Sequence, residues 1–283
     1  MLRIAIQSKG RLHDDALNLL AEADVKVRES KRTLLVQAKN FPIEVLFLRD
    51  DDIPQTVANG VADLGIVGLN EVAETGADVD VVRNLGFGAC RLSLALPKDQ
   101  QYDGIEWFNG KKIATSYPSV LQKFLSKNNI DAKIHVISGS VEISTGVGIA
   151  DAIFDIVSSG STLVNNNLKE VETIMKSEAV LIATKNLDEE KKHILDELQF
   201  RFDAIKSAEN KKYVLLNAPD EKIPEIINIL PGVKSPTIMP LAEKGWSSVH
   251  TVIDEEKFWE IIGRLKANGA QGILIIDVEK LIV

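Results

Sequence analysis

The chain has 283 residues, with 33 Lys and Arg against 41 Asp and Glu, which gives a formal net charge of −8. Hydrophobic residues make up 45% of the chain and charged residues 26%, a composition typical of a folded globular protein and not of a disordered, collagenous or coiled-coil one. The acidic balance argues against nucleic acid as the main partner, because nucleic-acid binding rests on a continuous basic surface.

The apolar segments and the cysteine and histidine content limit the class of protein further. No apolar run reaches the ~20 residues of a membrane span, and residues 1–7 become polar too early for a secretory signal, so we expect a cytoplasmic protein without a membrane partner. Cys90 is the single cysteine and the four histidines are scattered, which argues against a structural zinc site. We therefore expect oxygen ligands for any metal and a small molecule as the partner.

The N-terminal part of the chain alternates short apolar runs with helical patterns, which predicts an α/β domain. Strands are predicted at residues 2–6, 45–48 and 64–68, and helices at residues 12–22 and 53–59. Sheets of this kind bind their ligands beyond the carboxyl ends of the strands.

A second α/β unit is predicted from Pro97 onward, after a strand at residues 91–96. Its predicted strands are 112–115, 134–137 and 152–157, its helix is 119–127, and a strand at 180–183 returns towards the first domain. An amphipathic helix follows at residues 188–209, because Ile194, Leu198, Phe202 and Ile205 recur at helical spacing and Asp188 can cap its start.

The C-terminal part has a different pattern, with strands at residues 213–216, 237–239, 249–252 and 272–278 and helices at 222–230 and 255–267. The order β-α-β-β-α-β is that of a ferredoxin-like module. The three predicted domains are residues 1–96 together with 184–210, residues 97–183, and residues 211–283.

The segment 155–162 (DIVSSGST) is a hydrophobic strand followed by a loop of small and hydroxyl residues. Such a loop can surround a phosphate, because backbone N–H groups converge there, hydroxyls add donors, and a helix beginning after Thr162 would point its positive end at the anion. An ordinary strand-to-helix turn capped by Ser or Thr would give the same pattern.

Two carboxylates, Glu142 and Asp155, lie close to this loop along the predicted fold. Carboxylates beside a phosphate loop make sense if they accept hydrogen bonds from ribose hydroxyls, or if Mg²⁺ lies between them and a pyrophosphate. The alternative is that both are surface acids or helix caps.

Cations follow two of the predicted strands, with Lys9, Gly10 and Arg11 after the first and Arg49 after the second. Both positions are where an α/β sheet presents its ligand loops, so these residues can hold a triphosphate. Alternatively the cations are solvated and Arg49 is paired with a neighbouring aspartate.

These residues resemble the long form of the ATP phosphoribosyltransferase family, which catalyses the first step of histidine biosynthesis. The resemblance covers essentially the whole chain and rests on eight segments in the family's order. They are 7–12 (QSKGRL), 48–54 (LRDDDIP), 63–68 (DLGIVG), 90–94 (CRLSL), 110–118 (GKKIATSYP), 139–142 (GSVE), 151–163 (DAIFDIVSSGSTL) and 235–241 (SPTIMPL).

The resemblance implies a fold, a reaction and a Mg²⁺ cofactor. The fold is α/β, with two periplasmic-binding-protein-like (type II) domains and a C-terminal ferredoxin-like regulatory domain. ATP and phosphoribosyl pyrophosphate react to give N1-(5-phosphoribosyl)-ATP and pyrophosphate. The family assembles as dimers and hexamers, so we expect a homo-oligomer.

The resemblance also implies a role for each matching residue of the catalytic part. The 5-phosphate would be held by Ser158, Ser159, Gly160, Ser161 and Thr162, and the ribose hydroxyls by Glu142 and Asp155. The nucleotide phosphates and pyrophosphate would be held by Lys9, Gly10, Arg11 and Arg49, with Asn70 and Tyr117 near the adenosine.

The C-terminal domain of the long form binds L-histidine as an allosteric inhibitor, and the matching positions are Asn217, Thr237 and Ala270. Some relatives carry an acidic residue at the position of Asn217, where it can pair with the amino group of the ligand. An amide there is expected to bind histidine more weakly or differently.

Two other functions fit parts of the pattern. Two α/β lobes joined by crossing segments also describe a solute-binding or ligand-sensing protein, although the serine-rich loop with Glu142 and Asp155 argues against it. The second alternative is a regulatory subunit that has kept the fold and lost the chemistry.

Overall fold

The computed structural model describes residues 1–28, 33–230 and 235–282, and the chain forms two compact units, Met1–Ile194 and Leu195–Val283. The strands of the first unit are β1 (Leu2–Gln7), β2 (Leu35–Gln37), β3 (Ile43–Leu48), β4 (Leu64–Gly68), β5 (Asp80–Asn84), β6 (Cys90–Pro97), β7 (Lys112–Thr115), β8 (Lys133–Val136), β9 (Ala152–Val157), β10 (Leu168–Ser177) and β11 (Ala179–Ala183). Its helices are α1 (Arg11–Glu22), α2 (Ile53–Ala58), α3 (Leu69–Thr75), α4 (Pro118–Lys127) and α5 (Ser161–Asn165), and α6 (Glu189–Ala208) continues into the second unit.

The strands of the first unit form two sheets. The first sheet has the order β2-β3-β1-β4-β11-β5, and the second has the order β10-β6-β9-β7-β8. In the first sheet β1 runs parallel to β3 and β4, so Gln7, Leu48 and Gly68 end their strands at one edge. This is the edge at which α/β sheets present ligand loops.

The apolar strand positions predicted from the sequence form the cores of these sheets. In β1, Leu2, Ile4, Ala5 and Ile6 are fully buried, and so are Ala152 and Phe154 of β9. The predicted cap of α6 is also present, because the backbone N–H of Lys191 donates to Asp188 Oδ1 at 2.8 Å. The α/β class predicted from the sequence is confirmed.

Two strands pair in the sheet of the neighbouring domain and not in the sheet of the domain whose predicted limits contain them. The strand β6 falls within residues 1–96 except for its last residue, yet it pairs with β9 and β10 in the second sheet. The strand β11 falls within residues 97–183, yet it pairs with β4 and β5 in the first sheet. The pairing of β11 agrees with the predicted return of the strand at residues 180–183 towards the first domain. Sequence position did not show the sheet of β6, because either sheet could accept a buried apolar run. The division into three domains stays a prediction.

The second unit contains β12 (Lys211–Pro219), α7 (Ile223–Ile229), β13 (Thr237–Pro240), β14 (Trp246–Asp254), α8 (Glu255–Ala267) and β15 (Gln271–Asp277). Its sheet has the order β13-β14-β12-β15, with β12 antiparallel to both β14 and β15. Val214, Leu216, Phe258 and Leu265 lie in its core. The predicted β-α-β-β-α-β module is therefore confirmed.

Within residues 1–28, 33–230 and 235–282, none of the helices has the combination of length and apolar character that a membrane crossing needs.

The close packing of β4 predicts the effect of one substitution. A Cβ at Gly65 would lie 2.7 Å from Ile53 Cγ2 and 3.1 Å from both Ile182 Cγ1 and Val57 Cγ2. We expect Gly65→Ala to lower the free energy of unfolding by about 1–3 kcal/mol, because a packed core resists an added methyl group. Urea denaturation of the full chain measures this effect.

Gly146→Ala is the matched control, because the nearest atom to its added Cβ would be the Ile143 carbonyl oxygen at 3.6 Å, an ordinary contact. Equal midpoints for the two variants would show that Gly65 is not required for the packing of β4 against α2.

Candidate active site

A cavity of about 290 Å³ opens at the strand ends of the first unit. Its polar lining comes from Gln7, Arg11, Asp50, Asn70, Glu71 and Ser158. These residues belong to both sheets or to the segments that leave them, so the cavity lies where the carboxyl ends of β1 and β4 face the end of β9. It is slightly smaller than the roughly 300–1,000 Å³ of most small-molecule sites, which suits part of a nucleotide better than the whole.

A buried hydrogen-bond network forms one wall of this cavity. The Tyr117 hydroxyl and Asn70 Nδ2 both donate to Glu71 Oε1, each at 2.8 Å. Asn70 Nδ2 also lies 3.2 Å from the Tyr117 hydroxyl oxygen, and the Ser177 hydroxyl donates to Asn70 Oδ1 at 2.7 Å. Because each donor has an acceptor, the side-chain amide of Asn70 is held in one orientation.

Asn70 and Glu71 belong to α3, and a third residue of this helix, Glu74, caps the N-terminus of α4. The two carboxylate oxygens of Glu74 accept hydrogen bonds from the backbone N–H groups of Ser119 and Val120, at 2.8 and 2.9 Å. These N–H groups lie in the first turn of α4, where no helical carbonyl can accept them. A carboxylate at this end of a helix is also favoured by the helix dipole.

The serine loop, residues 158–162, turns from β9 into α5. Gly160 has φ of 81° and immediately precedes α5, so the turn uses a left-handed conformation that glycine adopts without strain. The hydroxyl oxygens of Ser159 and Ser161 lie 3.0 Å apart. The helix begins at Ser161, two residues earlier than the sequence predicted, so Ser161 and Thr162 belong to its first turn.

An ion pair supports the start of this loop. Arg91 in β6 makes two hydrogen bonds to the carboxylate of Glu170 and donates a third from Nη1 to the Ser158 carbonyl oxygen at 3.0 Å. The guanidinium group lowers the pKa of Glu170 to about 2. Glu170 is therefore ionised at any physiological pH, and the carbonyl of Ser158 keeps its partner.

The two predicted carboxylates, Glu142 and Asp155, are both partly buried beside the loop. Burial raises the pKa of Asp155 to about 6, a backbone hydrogen bond from Ile156 opposes the shift, and the charge of Glu142 adds to it. The charge of Glu142 is the smallest of these causes, so the two carboxylates are close enough to interact. A carboxylate with a raised pKa is typical of a functional site.

The predicted cations lie at the strand ends and are exposed. Gly10 precedes α1, and the side chain of Arg11 is 79% exposed and pairs with Asp15 at 3.9 Å. Arg49 is 74% exposed and binds Asp51 through both Nε and Nη2. The pairing of Arg49 with a neighbouring aspartate, one of the two interpretations of the sequence, is thus present in the structure.

Some of the predicted residues meet at the cavity and others surround it. Arg11, Asn70 and Ser158 line it, and Tyr117 lies one hydrogen bond behind its wall. The other residues predicted for the catalytic part are described by the structure but are not part of this lining: Lys9, Gly10, Arg49, Glu142, Asp155, Ser159, Gly160, Ser161 and Thr162. Gln7, Asp50 and Glu71 also line the cavity and are not among the site residues predicted from the sequence, although Asp50 belongs to the acidic run that follows Arg49.

The described residues contain no group of three or more His, Cys, Asp or Glu side chains arranged to hold a metal ion. Glu142 and Asp155 are the two carboxylates that the sequence predicts for this site. Mg²⁺ in nucleotide sites is usually held by one or two carboxylates together with substrate phosphates, so this donor set fits the ion.

In the second unit, two predicted histidine contacts lie on one face of the sheet. Asn217 in β12 stands opposite Ser248 of β14, and Thr237 in β13 stands opposite His250 of β14, two residues further along. Opposite residues share a face, so Asn217, Thr237 and His250 point to the same side. Ala270 immediately precedes Gln271, which pairs with Asn217.

Residues 49–204 match the family model described as ATP phosphoribosyltransferase, and residues 208–280 match the model of the HisG C-terminal domain. An ATP phosphoribosyltransferase from Bacteroides thetaiotaomicron is 67% identical over 283 residues, covering 100% of both chains.

Two solved structures resemble the fold. An ATP phosphoribosyl transferase (HisG:HisZ) complex from Thermotoga maritima aligns with a TM-score of 0.62 and 27% identity over 72% of this chain and 99% of that one. A substrate-binding protein of an amino acid ABC transporter aligns with a TM-score of 0.50 and 13% identity, over 74% of this chain and 94% of that one. The second likeness concerns the fold alone, and it confirms the predicted periplasmic-binding-protein-like architecture.

The position of Glu71 predicts how stability depends on pH. Burial, opposed by the hydrogen bond from Tyr117 and reinforced by Asp50, Asp51 and Glu74, raises its pKa from 4.5 to about 7. The folded protein therefore binds the proton of the Glu71 carboxyl more tightly than the unfolded chain does. The stability that this proton contributes is fully present below pH 4.5 and is lost as the pH rises through about 7. Glu71→Gln removes this loss, so it should raise the free energy of unfolding by about 3 kcal/mol at pH 8.5 relative to its effect at pH 4.5.

Urea denaturation at the two pH values measures the difference, with Glu22→Gln as the control because Glu22 is exposed. If Glu71→Gln changed the free energy of unfolding equally at both pH values, the carboxyl of Glu71 would have an ordinary pKa in the folded protein.

Proposed function

Because the chain belongs to the ATP phosphoribosyltransferase family, we propose that the cavity and the serine loop of its first unit bind the two substrates of that reaction. The reaction joins N1 of the adenine of ATP to the anomeric carbon of phosphoribosyl pyrophosphate, releases pyrophosphate and begins histidine biosynthesis. The single observation that supports this placement best is that residues predicted for each substrate, Asn70 and Ser158, line one cavity.

The serine loop binds the 5-phosphate of phosphoribosyl pyrophosphate in this proposal. The first turn of α5 leaves backbone N–H groups without helical acceptors, and Ser158, Ser159, Ser161 and Thr162 add hydroxyl donors. Gly160 lets the backbone turn inward at this point. The contact of Arg91 with the Ser158 carbonyl holds the loop in place before the substrate arrives.

Glu142 and Asp155 accept hydrogen bonds from the two ribose hydroxyls. The two carboxylates are close enough to interact. Carboxylate oxygens accept hydrogen bonds from hydroxyl donors, so this pair suits the hydroxyls of a ribose. Burial raises the pKa of Asp155 because the carboxylate lacks solvation in the free protein, and in this proposal the substrate hydroxyls supply hydrogen bonds in its place.

ATP lies with its adenosine at Asn70 and Tyr117 and its phosphates at the exposed strand ends. Lys9, Arg11 and Arg49 are cations at that edge, and Gly10 permits close approach of a phosphate. Arg49 exchanges its contact with Asp51 for a phosphate oxygen, an exchange that costs little because exposed ion pairs contribute little stability.

The difficult step is the departure of pyrophosphate, because N1 of adenine is a weak nucleophile and positive charge builds on the ribose ring. The lone pair of N1 forms the new bond to the anomeric carbon on one side while pyrophosphate leaves with the bonding pair on the other. The protein acts through positioning and electrostatics, without a covalent intermediate. Glu142 and Asp155 fix the ribose, and the carboxylate charges lie on the side where positive charge develops.

Mg²⁺ is the metal that we propose for this reaction, and it would neutralise charge on the departing pyrophosphate. Glu142 and Asp155 are the residues of this chain that would contribute to its coordination, together with phosphate oxygens of the substrate.

The second unit binds L-histidine as a feedback inhibitor in this proposal. Asn217 and Thr237 share one face of the sheet, and Ala270 lies beside the β15 residue that pairs with Asn217. The enzyme acts as a homo-oligomer, a dimer or a hexamer, by analogy with the family.

Incubation of the purified chain with ATP, phosphoribosyl pyrophosphate and Mg²⁺ tests the reaction, with both products followed by mass spectrometry. Formation of phosphoribosyl-ATP and pyrophosphate, suppressed by L-histidine, is the expected result. Binding of ATP without any product would instead favour a binding protein or a regulatory subunit.

Asp155→Asn and Glu142→Gln test the assignment of the ribose site. Both substitutions keep the size of the side chain and remove its charge, so we expect the fold to remain and kcat/KM for phosphoribosyl pyrophosphate to fall about 100-fold or more. Asp131→Asn is the matched control, since Asp131 is exposed and lies outside the cavity lining. Wild-type kcat/KM in either variant would remove that residue from the ribose site.

Asn217→Asp tests the histidine site with the full chain. A carboxylate at this position can form a charge-assisted hydrogen bond with the amino group of histidine, so we expect the half-inhibitory concentration to fall about tenfold. Asn228→Asp is the control, because Asn228 is exposed on α7. Equal sensitivity in both variants would place the histidine site away from Asn217.

A further inference from the structure

Only one oxygen of the Glu71 carboxyl group accepts hydrogen bonds from the described residues. Oε1 accepts the hydrogen bonds of both Tyr117 and Asn70, whereas Oε2 accepts none from the residues that the structure describes. Glu71 is only 7% exposed, yet it lines the cavity. One oxygen therefore belongs to the internal network, and the other remains available to a ligand.

The internal network by itself does not need a carboxylate. A glutamine at position 71 would accept the same two hydrogen bonds through its single carbonyl oxygen, without placing an ionisable group in a poorly solvated position. Burial raises the pKa of Glu71 to about 7, which shows that the ionised group is disfavoured in the free protein. What glutamate supplies and glutamine does not is a second acceptor oxygen, which lies outside the internal network on a residue that lines the cavity.

The rest of the cavity wall indicates which part of a nucleotide meets that acceptor. Asp50 adds a second carboxylate near Glu71, while Leu12, Ile156 and Ala179 supply apolar surface. A triphosphate would be repelled by the two carboxylates. Arg11 is the cation of the described lining, and its side chain is 79% exposed and paired with Asp15. A purine has a flat apolar face and, in adenine, an exocyclic amino group that donates hydrogen bonds, so the base suits this wall.

On the basis of the proposed function, we infer that Glu71 determines base specificity, with Oε2 accepting a hydrogen bond from the 6-amino group of adenine. The network from Ser177 through Asn70, and from Tyr117, orients the carboxyl so that only Oε2 faces the base. A 6-oxo purine would place lone pairs against this oxygen, so it is rejected by repulsion as well as by the missing donor.

The same contact acts on the reaction. When N1 donates its lone pair to the anomeric carbon, the adenine ring gains positive charge that is shared with the 6-amino group. A carboxylate oxygen on that amino group stabilises this charge in the transition state without any proton transfer. Glu71 would therefore lower both the dissociation constant of ATP and the barrier of the chemical step.

A double-mutant cycle tests the contact directly with the full chain. The dissociation constants of ATP and of purine riboside triphosphate, which lacks only the 6-amino group, are measured by calorimetry for the wild type and for Glu71→Gln. We expect the wild type to prefer ATP by about 10- to 100-fold, as a hydrogen bond to a charged acceptor does, and Glu71→Gln to lose this preference.

Glu74→Gln is the matched control, because Glu74 lies on the same helix and caps α4 without lining the cavity. Its preference for ATP should equal that of the wild type. Thermal unfolding of each variant shows whether it is folded, and Glu71→Gln keeps the internal hydrogen bonds.

The outcomes separate this inference from the function on which it rests. If the wild type forms phosphoribosyl-ATP and Glu71→Gln retains the wild-type preference, the contact with the amino group is wrong while the function stands. Equal weakening of both nucleotides in Glu71→Gln would assign Glu71 a structural role and also overturn the contact. A wild type that neither binds ATP nor forms product would overturn the function and the inference together.

Discussion

The helix α3 connects the two sheets of the first unit, and the geometry of the cavity depends on it. Asn70 and Glu71 bind Tyr117 and Ser177, while Glu74 caps α4, so one helix of seven residues holds several elements that follow later in the chain. The hydrogen bonds of Asn70 and Glu71 are buried, where an unpaired group would cost about 1–3 kcal/mol. The two that Glu74 accepts are exposed or partly buried. The distance between the strand ends, and with it the shape of the cavity, is therefore fixed by hydrogen bonds as well as by apolar packing.

The acidic groups of this unit divide into two kinds according to what surrounds them. Arg91 lowers the pKa of Glu170, so that carboxylate is stable in its charged form and supports the serine loop. Glu71 and Asp155 have raised pKa values, because burial removes solvation that no cation replaces. A protein tolerates such groups where a ligand later satisfies them, which is the usual reason that stability is sacrificed near a functional site.

Some elements and site residues could be predicted from the sequence and others could not, depending on whether the pattern of neighbouring residues carries the signal. The strands β7 and β9 are predicted at their observed bounds because each is a short run of mostly apolar residues. The helix α3 follows β4 without a turn signal and is too short to show helical periodicity, so Glu71 resembles a surface acid. Its role depends on Tyr117, 46 residues further along, and no local pattern records such a contact. The strand β10 was missed because its two register shifts interrupt the alternation of apolar and polar residues.

An acidic protein that binds two polyanions must keep their phosphates away from its own carboxylates. Here the exposed cations Lys9, Arg11 and Arg49 stand at the strand ends, and the serine loop offers neutral backbone and hydroxyl donors. The carboxylates Glu71 and Asp155 are less exposed, and in the proposed binding mode they accept hydrogen bonds from uncharged parts of the substrates, the amino group of the base and the ribose hydroxyls. In this proposal net charge does not decide the ligand, because the local order of donors and acceptors corresponds to the order of groups along the two substrates.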